Sequence, residues 1–584
     1  MSDAFRTMPT DTAVPRLDAA LLELRANATG WARLPLPRKI ELLDGVRRHA
    51  AEAAERWVDA ATLAKGLGPE SPYRGEEWSS GPYALISYVG TLRRTLEHVR
   101  DGTLALLVKD RVRQRPDGQA VVRVVPTRPL DRLLFPGIEA EVWMAPGVAP
   151  ADLPGTMATF YTRVNPEGSV VCVLGAGNIA AIPPLDVLYE LYAEGRVGLL
   201  KMNPINAYLG PILAEVFQDF IEAGYLRIVY GGAGVGTYIT RHDEVDQIHV
   251  TGSAATYDAI VFGTGETGWR RKVLDEPEIK VPVSGELGGV SPVIVVPGPW
   301  SDADLRFQAE HVATMKMHNG GFNCVAAQVL VLPDEWPLRD AFVHEVRRVL
   351  REIPDRPAYY PGADERVRTL CDAYPAGVEW LGATGARLLI PDVDPADADH
   401  HMFTSEAFSA ALAVTRLPGG AGGSDASAFL ARAVDFCNEC LLGSLAVTIL
   451  IHPGTIQQLG DGLEDAIGRL RYGNVSVNVW NGIGFFLPHA SWGAFPGHDR
   501  SDIQSGSGVV HNALLFDAPQ KSVVKGPFAP FPRSLQLGEY HAAPKPPWLV
   551  TNGGTENLFR RMTYFSAAPS VRKLLRVVAA GFRG

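Results

Sequence analysis

Residues 169–201 read SVVCVLGAGNIAAIPPLDVLYELYAEGRVGLLK: a short apolar run, an amphipathic stretch of a dozen residues, and a second apolar run that ends on Lys201. Apolar runs this short, bounded by glycine and proline, suit strands buried on both faces, and the stretch between them is long enough for a crossover helix. The pattern continues outward. NAYLGPILAEVFQDFIEAG (206–224) is amphipathic, LRIVY (226–230) is apolar, a short helical run follows, and QIHV (247–250) is apolar again. Residues 169 to 250 therefore read as α/β architecture with a parallel sheet. Such a sheet gathers its ligand-binding loops at the carboxyl ends of the strands, where helix N-termini offer unpaired N–H groups to a nucleotide diphosphate.

A second α/β region begins near Val283 with PVIVV (292–296). It continues through the helical RFQAEHVATMKMHNGG (306–321), the strand-like QVLVLP (328–333) and AVTILI (446–451), and extends to about Asn478. Within it, GGAGGSDASAFLARAV (419–434) reads as a loop feeding a helix. On the N-terminal side, residues 17–67 carry apolar positions at helical spacing, with Pro35 and Pro37 separating two helices. LALLVKDRVRQRPDGQAVVRVVP (104–126) reads as two strand-like runs around a Pro-Asp-Gly turn. After Gly508, QKSVVKGPFAPFPR (520–533) and EYHAAPKPPW (539–548) are expected to follow the surface, where they can wrap a partner subunit. The final VRKLLRVVAAGF (571–582) is a basic amphipathic helix expected to pack on its own protein.

Composition narrows the function. At 584 residues with 46% hydrophobic content, the chain is long enough for two or three domains. Its 55 Lys and Arg against 65 Asp and Glu give a net charge of −10, without the broad positive surface that nucleic acid requires. Five cysteines are too few and too irregular for a disulfide framework, which fits a reducing cytoplasm. Cys437 and Cys440 form a C-x-x-C in DFCNECLLG with no second thiol pair at metal spacing, so this reads as a helix end and no metal is expected. The start, MSDAFRTMPTDTAVPRLD, lacks the basic and apolar regions of a secretion signal, and no apolar run is long enough to span a membrane.

Two residues stand out chemically. Cys324, in HNGGFNCVAAQVL, follows a helical stretch and two glycines that allow close backbone approach; a helix N-terminus or a cationic nicotinamide ring nearby would favour its thiolate. Glu286, in VSGELGGVSPVIVV, precedes two glycines and a strand, and partial burial there would lift a carboxylate toward the pKa of a general base. Taken singly, each is more ordinarily a buried thiol or a turn carboxylate.

The wider pattern resolves this. NGGFNC, ELGG, VDQIHVTGS (245–253) and SEAFSAAL (405–412), in this order and separated by α/β units, resemble the aldehyde dehydrogenase superfamily across residues 165 to 508. The resemblance implies an aldehyde dehydrogenase-like α/β fold: a Rossmann-type cofactor domain, an α/β catalytic domain and a small oligomerisation element. The corresponding boundaries are 1–285, with the hairpin near 103–160 taking part in oligomerisation, then 286–478, then 479–584 as a C-terminal return. It implies Cys324 as the nucleophile, Glu286 as the acid that activates hydrolytic water, and Asn178 as the side chain that joins the Cys324 N–H in holding the oxyanion. For the cofactor it implies Lys201 at the adenosine ribose, Gly252 and Ser253 beside the diphosphate and nicotinamide, Glu406 at the nicotinamide ribose and Phe408 behind it. The expected assembly is a homodimer or a dimer-based homotetramer.

Several departures accompany the resemblance. Gly177, Ile179 and Ala180 replace the usual aromatic and proline flanks of Asn178, Tyr257 stands near a position usually held by glycine, and FGTGETGWRRK (262–272) enlarges the interval before ELGG. LPHASWGAFPGHDRSDIQSGSG (487–508) distorts the family's last glycine-rich segment. Pro204 occupies the position of the glutamate that NAD-preferring relatives place after the strand-end lysine, which implies use of NAD or NADP with a slight lean to NADP. Trp480, Phe485, Phe486, Trp492 and Phe495 fall where the family lines its substrate tunnel, which suits an aromatic or long aliphatic aldehyde as the small-molecule partner. The alternative reading is an NADPH-dependent acyl-CoA reductase. Glu286 tells against it, since thiolysis needs no water-activating acid. A catalytically silent oligomeric scaffold is a third reading, against which the joint presence of nucleophile, acid, oxyanion and cofactor residues stands.

Overall fold

Strands Val170–Leu174, Val197–Lys201, Leu226–Val229 and Gln247–Gly252 alternate with helices in the computed structural model, as the apolar periodicity requires. That model describes residues 9–375, 377–420 and 425–582. Residues 1–8, and residues 421–424 of the glycine-rich segment, lie outside the described residues. With a fifth strand, Val283–Leu287, these four form a parallel sheet. Its spatial order runs 226–229, 197–201, 170–174, 247–252, 283–287. The chain leaves Val170–Leu174 toward one edge and returns on its other side. The crevice for a ligand therefore opens where residues 175–178 leave that strand.

The N-terminal helices close one face of this sheet. Helix Val14–Ala32 buries Leu17, Leu21, Leu24, Ala28 and Trp31, spaced by three and four, and the Trp31 indole donates to the Leu191 carbonyl at 3.0 Å. The break between the first two helices falls at the expected prolines: Pro35 precedes helix Leu36–Ala64 and Pro37 sits in its first turn, where a missing N–H costs nothing.

The second sheet has eleven strands. Its order is Val112–Gln114, Ala120–Val125, Glu139–Met144, Pro519–Lys525, Asn474–Val477, Ala446–Leu450, Val293–Val295, Val329–Pro333, Ala411–Leu417, Arg387–Val393 and Glu379–Leu381. The first three form an antiparallel meander around the expected Pro-Asp-Gly turn. Residues Leu104–Leu107, expected as part of a strand, make a 3₁₀ turn instead, because none of them is buried. The region assigned to oligomerisation thus pairs within its own chain, through Pro519–Lys525.

That last strand overturns the expectation that QKSVV follows the surface. Val523, Val524 and Lys521 are all buried. A lysine is tolerated there because its ammonium donates to the carbonyls of Ile467, Gly468 and Leu470, so the charge is hydrogen-bonded rather than stranded. The final helix, Val571–Gly581, packs on Thr555–Ala567 as expected, burying Val577 and Ala580. Among the described residues no helix is long and apolar enough to cross a membrane.

Candidate active site

All eight residues singled out in the sequence line one cleft between the two sheets, with a volume of about 970 Å³. Lys201, Gly252 and Glu286 stand at or near the carboxyl ends of parallel strands, and Asn178 follows another, as an open α/β sheet dictates. Cys324, Glu406 and Phe408 face them from the second sheet.

The nucleophile loop is built by backbone geometry. Helix Asp302–Met317 ends in a turn where Asn319, Gly320 and Gly321 take φ of 53°, 70° and 82°. A β-carbon at Gly321 would overlap the Ser409 carbonyl, so the tight passage needs glycine. Buried charges hold the turn. The Lys65 ammonium bridges Glu77 at 2.7 Å and the Asn319 side-chain oxygen at 2.9 Å, while Glu76 accepts from the Asn319 N–H at 2.9 Å and pairs with Arg356 at 2.7 Å. Nothing periodic in the sequence marks these charges, since each is placed by a partner far along the chain.

Cys324 Sγ lies 3.9 Å from Glu286 Oε1. Burial pushes the thiol well above its usual pKa, and the carboxylates of Glu286 and Glu406 push the same way. The expected assistance from a helix N-terminus is not what precedes Cys324: helix Asp302–Met317 leads toward it with its C-terminal end, whose partial charge is negative. The resting group is a protonated thiol beside a carboxyl.

Burial raises the Glu286 pKa to about 7, and Asp186 pushes the same way. His511 and the hydrogen bonds from the Trp492 indole and the Cys324 thiol pull it down. The indole N–H donates to Oε1 at 2.7 Å, leaving Oε2 without a partner. Asn178 donates its side-chain N–H to the Phe322 carbonyl at 3.0 Å, while its own carbonyl accepts from Asn319 and Tyr359, both at 3.1 Å. Its amide is thereby tied to the loop that carries the thiol.

The other end of the cleft has the chemistry of a dinucleotide seat. Ser253 caps helix Ala254–Val261, accepting from the Thr256 N–H at 3.2 Å, and that helix start lines the cleft. Lys201 is held below its usual pKa by burial. Glu406 is half-buried, with its buried Oε1 unpartnered; desolvation raises its pKa to about 8 against the opposing pull of Lys316 and Arg366. A β-carbon at Gly288 would overlap the Glu406 carboxyl, so that group packs directly on backbone. Phe408, at φ 36°, sets its ring against Tyr360 and Phe322. An orphaned carboxyl oxygen and exposed N–H groups fit a ribose hydroxyl and a diphosphate. Pro204 opens a 3₁₀ turn, and Asn203 lines the cleft beside Lys201. The segment 262–272 contributes helix Gly265–Leu274; its Arg271 and nearby Arg241 reach the cleft wall, each 2.8 Å from Glu278.

On the far side of Cys324, Trp480, Phe485, Phe486 and Trp492 enclose an apolar chamber of about 30 Å³, as anticipated. Phe495 does not join them, because its ring stacks beneath the Lys521 ammonium at 5.2 Å. Among residues the sequence did not single out, Asp186, His511, Tyr360, Arg366 and Arg241 are brought to or behind the site. None belongs to a motif, and only the fold assembles them.

Comparison with known proteins agrees with this arrangement. Residues 144–359 match the model described as the aldehyde dehydrogenase family. A coniferyl aldehyde dehydrogenase of Pseudomonas sp. (strain HR199 / DSM 7063) is 29% identical over 267 residues, 43% of this chain and 51% of that protein. A probable coniferyl aldehyde dehydrogenase of Caulobacter vibrioides is 28% identical over 265 residues, 44% and 49% of the two chains. The matched region thus spans about half the length of these relatives. Among solved structures, the NADP-dependent glyceraldehyde-3-phosphate dehydrogenase of Bacillus halodurans C-125 complexed with NADP superposes with a TM-score of 0.56 at 17% identity, covering 88% of this chain and 92% of that one. An indole-3-acetaldehyde dehydrogenase complexed with NAD+ gives the same TM-score and identity, covering 88% and 90%. At that identity the likeness is one of fold.

Proposed function

We propose, from the cleft and the match of residues 144–359 to the aldehyde dehydrogenase family, that the chain is a member of that family and oxidises an aldehyde to a carboxylic acid with a nicotinamide cofactor. The observation that carries the reading is the pairing of Cys324 and Glu286. A half-buried thiol stands 3.9 Å from a carboxyl whose pKa lies at about 7, at the meeting point of a polar strand-end cleft and an apolar chamber.

Cys324 Sγ adds to the aldehyde carbon as its proton passes to Glu286, forming a thiohemiacetal. The Asn178 amide and the Cys324 N–H hold the oxygen that gains charge. A bound nicotinamide cofactor supplies the hydride acceptor that makes the acyl group available as a thioester on Cys324. Glu286, once it has lost the thiol's proton to solvent, takes a proton from water as the water oxygen bonds to the thioester carbon. The C–S bond breaks, releasing the acid and the Cys324 thiolate. Glu406 would receive a ribose hydroxyl, Phe408 would wall that side, Lys201 would face the adenosine ribose, and Gly252 and Ser253 would border the diphosphate.

Both NAD and NADP are accepted, with NADP somewhat preferred. Supporting this, Pro204 stands in place of the carboxylate that would repel a 2′-phosphate, with Asn203 lining the cleft beside it, and two arginines share one glutamate on the cleft wall. The aromatic chamber and the names of the two relatives favour an aromatic or otherwise apolar aldehyde. The assembly is a homodimer or dimer-based homotetramer in the cytoplasm.

A panel of aldehydes with each cofactor, with and without CoA, tests the assignment. Aldehyde-dependent formation of reduced cofactor that needs no CoA and vanishes in Cys324→Ser is expected. Activity retained in that variant, or turnover only with an acyl-CoA and NADPH, refutes it.

A further inference from the structure

Behind Glu286 lies a set of buried ionisable groups that the reaction above does not use. Asp186, on helix Ile182–Tyr192, and His511, on strand Val509–His511, are each less than 5% exposed. One ligand atom from each, with one carboxyl oxygen of Glu286, all lie within 4.8 Å of one another. His511 Nε2 meets Asp186 Oδ1 at 2.9 Å. The other Asp186 oxygen accepts from the Thr251 hydroxyl at 2.9 Å and stands 3.8 Å from His249 Nε2; His249 Nδ1 in turn meets the Ser284 hydroxyl at 3.0 Å. A hydrogen-bonded chain thus runs from His511 through Asp186 and Thr251 to His249 and Ser284, with Glu286 beside its first two members. The groups around it are Glu190, held by Arg196 at 2.7 Å, Tyr88, whose ring meets the edge of His511, and Cys324.

Two carboxyls this close and this dry cannot both be charged unless a proton or a cation stands between them. The ionisation of either carboxyl therefore opposes that of the other. For structure alone, apolar side chains of similar volume would serve at lower cost. Glu286, meanwhile, must dispose of a proton each time it activates water.

We propose that Asp186 and His511 are positioning residues for Glu286, receiving the proton it takes from hydrolytic water and setting the pH at which it becomes a base. The inference rests on the aldehyde dehydrogenase reading above. When the water O–H bond breaks and the oxygen bonds to the thioester carbon, the proton moves to Glu286 and on to the Asp186–His511 pair, whose polar atoms lie within 4.8 Å of the Glu286 carboxyl. When the C–S bond breaks, the Cys324 thiolate recovers that proton through Glu286, so the cycle closes with thioester and water giving acid and thiol.

The test uses the whole protein and needs no substrate. Because Glu286 lies beside the thiol, its ionisation affects how fast Cys324 is alkylated by iodoacetamide, followed by mass spectrometry across pH. The wild type is expected to show an inflection that Glu286→Gln removes. Asp186→Asn should move it down by about one pH unit, since a like charge that raised the Glu286 pKa is gone, and Asp186→Glu should restore it. With a working aldehyde, His511→Gln should slow thioester hydrolysis about tenfold while leaving the first-turnover burst of reduced cofactor intact. If Asp186→Asn melts at the wild-type temperature yet keeps the inflection in place, the proposal is overturned; if it fails to fold, an unshifted inflection in Asp186→Glu together with unimpaired hydrolysis in His511→Gln overturns it. Should the wild type produce no reduced cofactor from any aldehyde while the alkylation shift appears, the functional reading fails and the coupled cluster stands.

Discussion

Replacing Trp492 by Phe removes a single hydrogen bond, the one its indole N–H makes to Glu286 Oε1 at 2.7 Å, while keeping an aromatic ring against Phe485. A hydrogen bond to a charged acceptor contributes about 1.5–3 kcal/mol. At about 1.4 kcal/mol per pKa unit, its loss raises the Glu286 pKa by roughly one to two units above its value near 7. The sign follows from the charge: the indole stabilises the carboxylate, so without it the neutral acid persists to higher pH. Near neutral pH the ionised fraction falls from about half to about a tenth or less, and thioester hydrolysis slows about five- to tenfold or more. Stopped-flow measurement of reduced cofactor separates the steps: in Trp492→Phe the slow phase should have its rising limb displaced to higher pH and recover when the buffer is alkaline. A limb at the wild-type pH, or a deficit that alkaline buffer does not repair, would refute the assignment of Glu286 as the base tuned by this indole.

In Glu286→Gln, a first-turnover burst of reduced cofactor should survive while steady turnover drops about a hundredfold; equal steady rates in rapid mixing would remove Glu286 from hydrolysis. The ratio of kcat/KM for NADP over NAD on one aldehyde should be modestly above one, and a preference for NAD beyond roughly a hundredfold, about 2.7 kcal/mol, would mean that another group does the work of the missing glutamate. Lys521→Met strands the carbonyls of Ile467, Gly468 and Leu470 and should cost about 3 kcal/mol, read as a lower denaturant midpoint. An unchanged midpoint would show that the ammonium contributes nothing net.

Much of the cofactor sheet was legible because its strands and helices are contiguous, and period and length alone separate them. That eight named residues would share one cleft was legible for a different reason: six stand in short motifs whose order along the chain carries information, and Asn178 and Lys201 came from the resemblance alone. Groups assembled across long distances left no trace. Asp186 reads as one acid on an amphipathic helix and His511 as one histidine near a strand, and their 2.9 Å contact exists only after both sheets have formed. QKSVV misled because a lysine and flanking prolines resemble a surface segment, whereas three backbone carbonyls neutralise the cost of burying it. Phe495 was grouped with the tunnel aromatics by proximity in sequence, and a cation beneath its ring holds it elsewhere.

The place of Pro519–Lys525 has a consequence for how the chain is made. It lies between Glu139–Met144 and Asn474–Val477, pairing Val523 with both Glu141 and Val475. During synthesis, at about 5–20 residues per second, the meander emerges on the order of tens of seconds before the strand that joins it to the rest. Until then two open sheet edges wait on the nascent chain, each a template for pairing with another molecule. Completion of the larger sheet is therefore late and of high contact order. A chain stopped anywhere before Pro519 would carry this sheet in two pieces rather than one shortened.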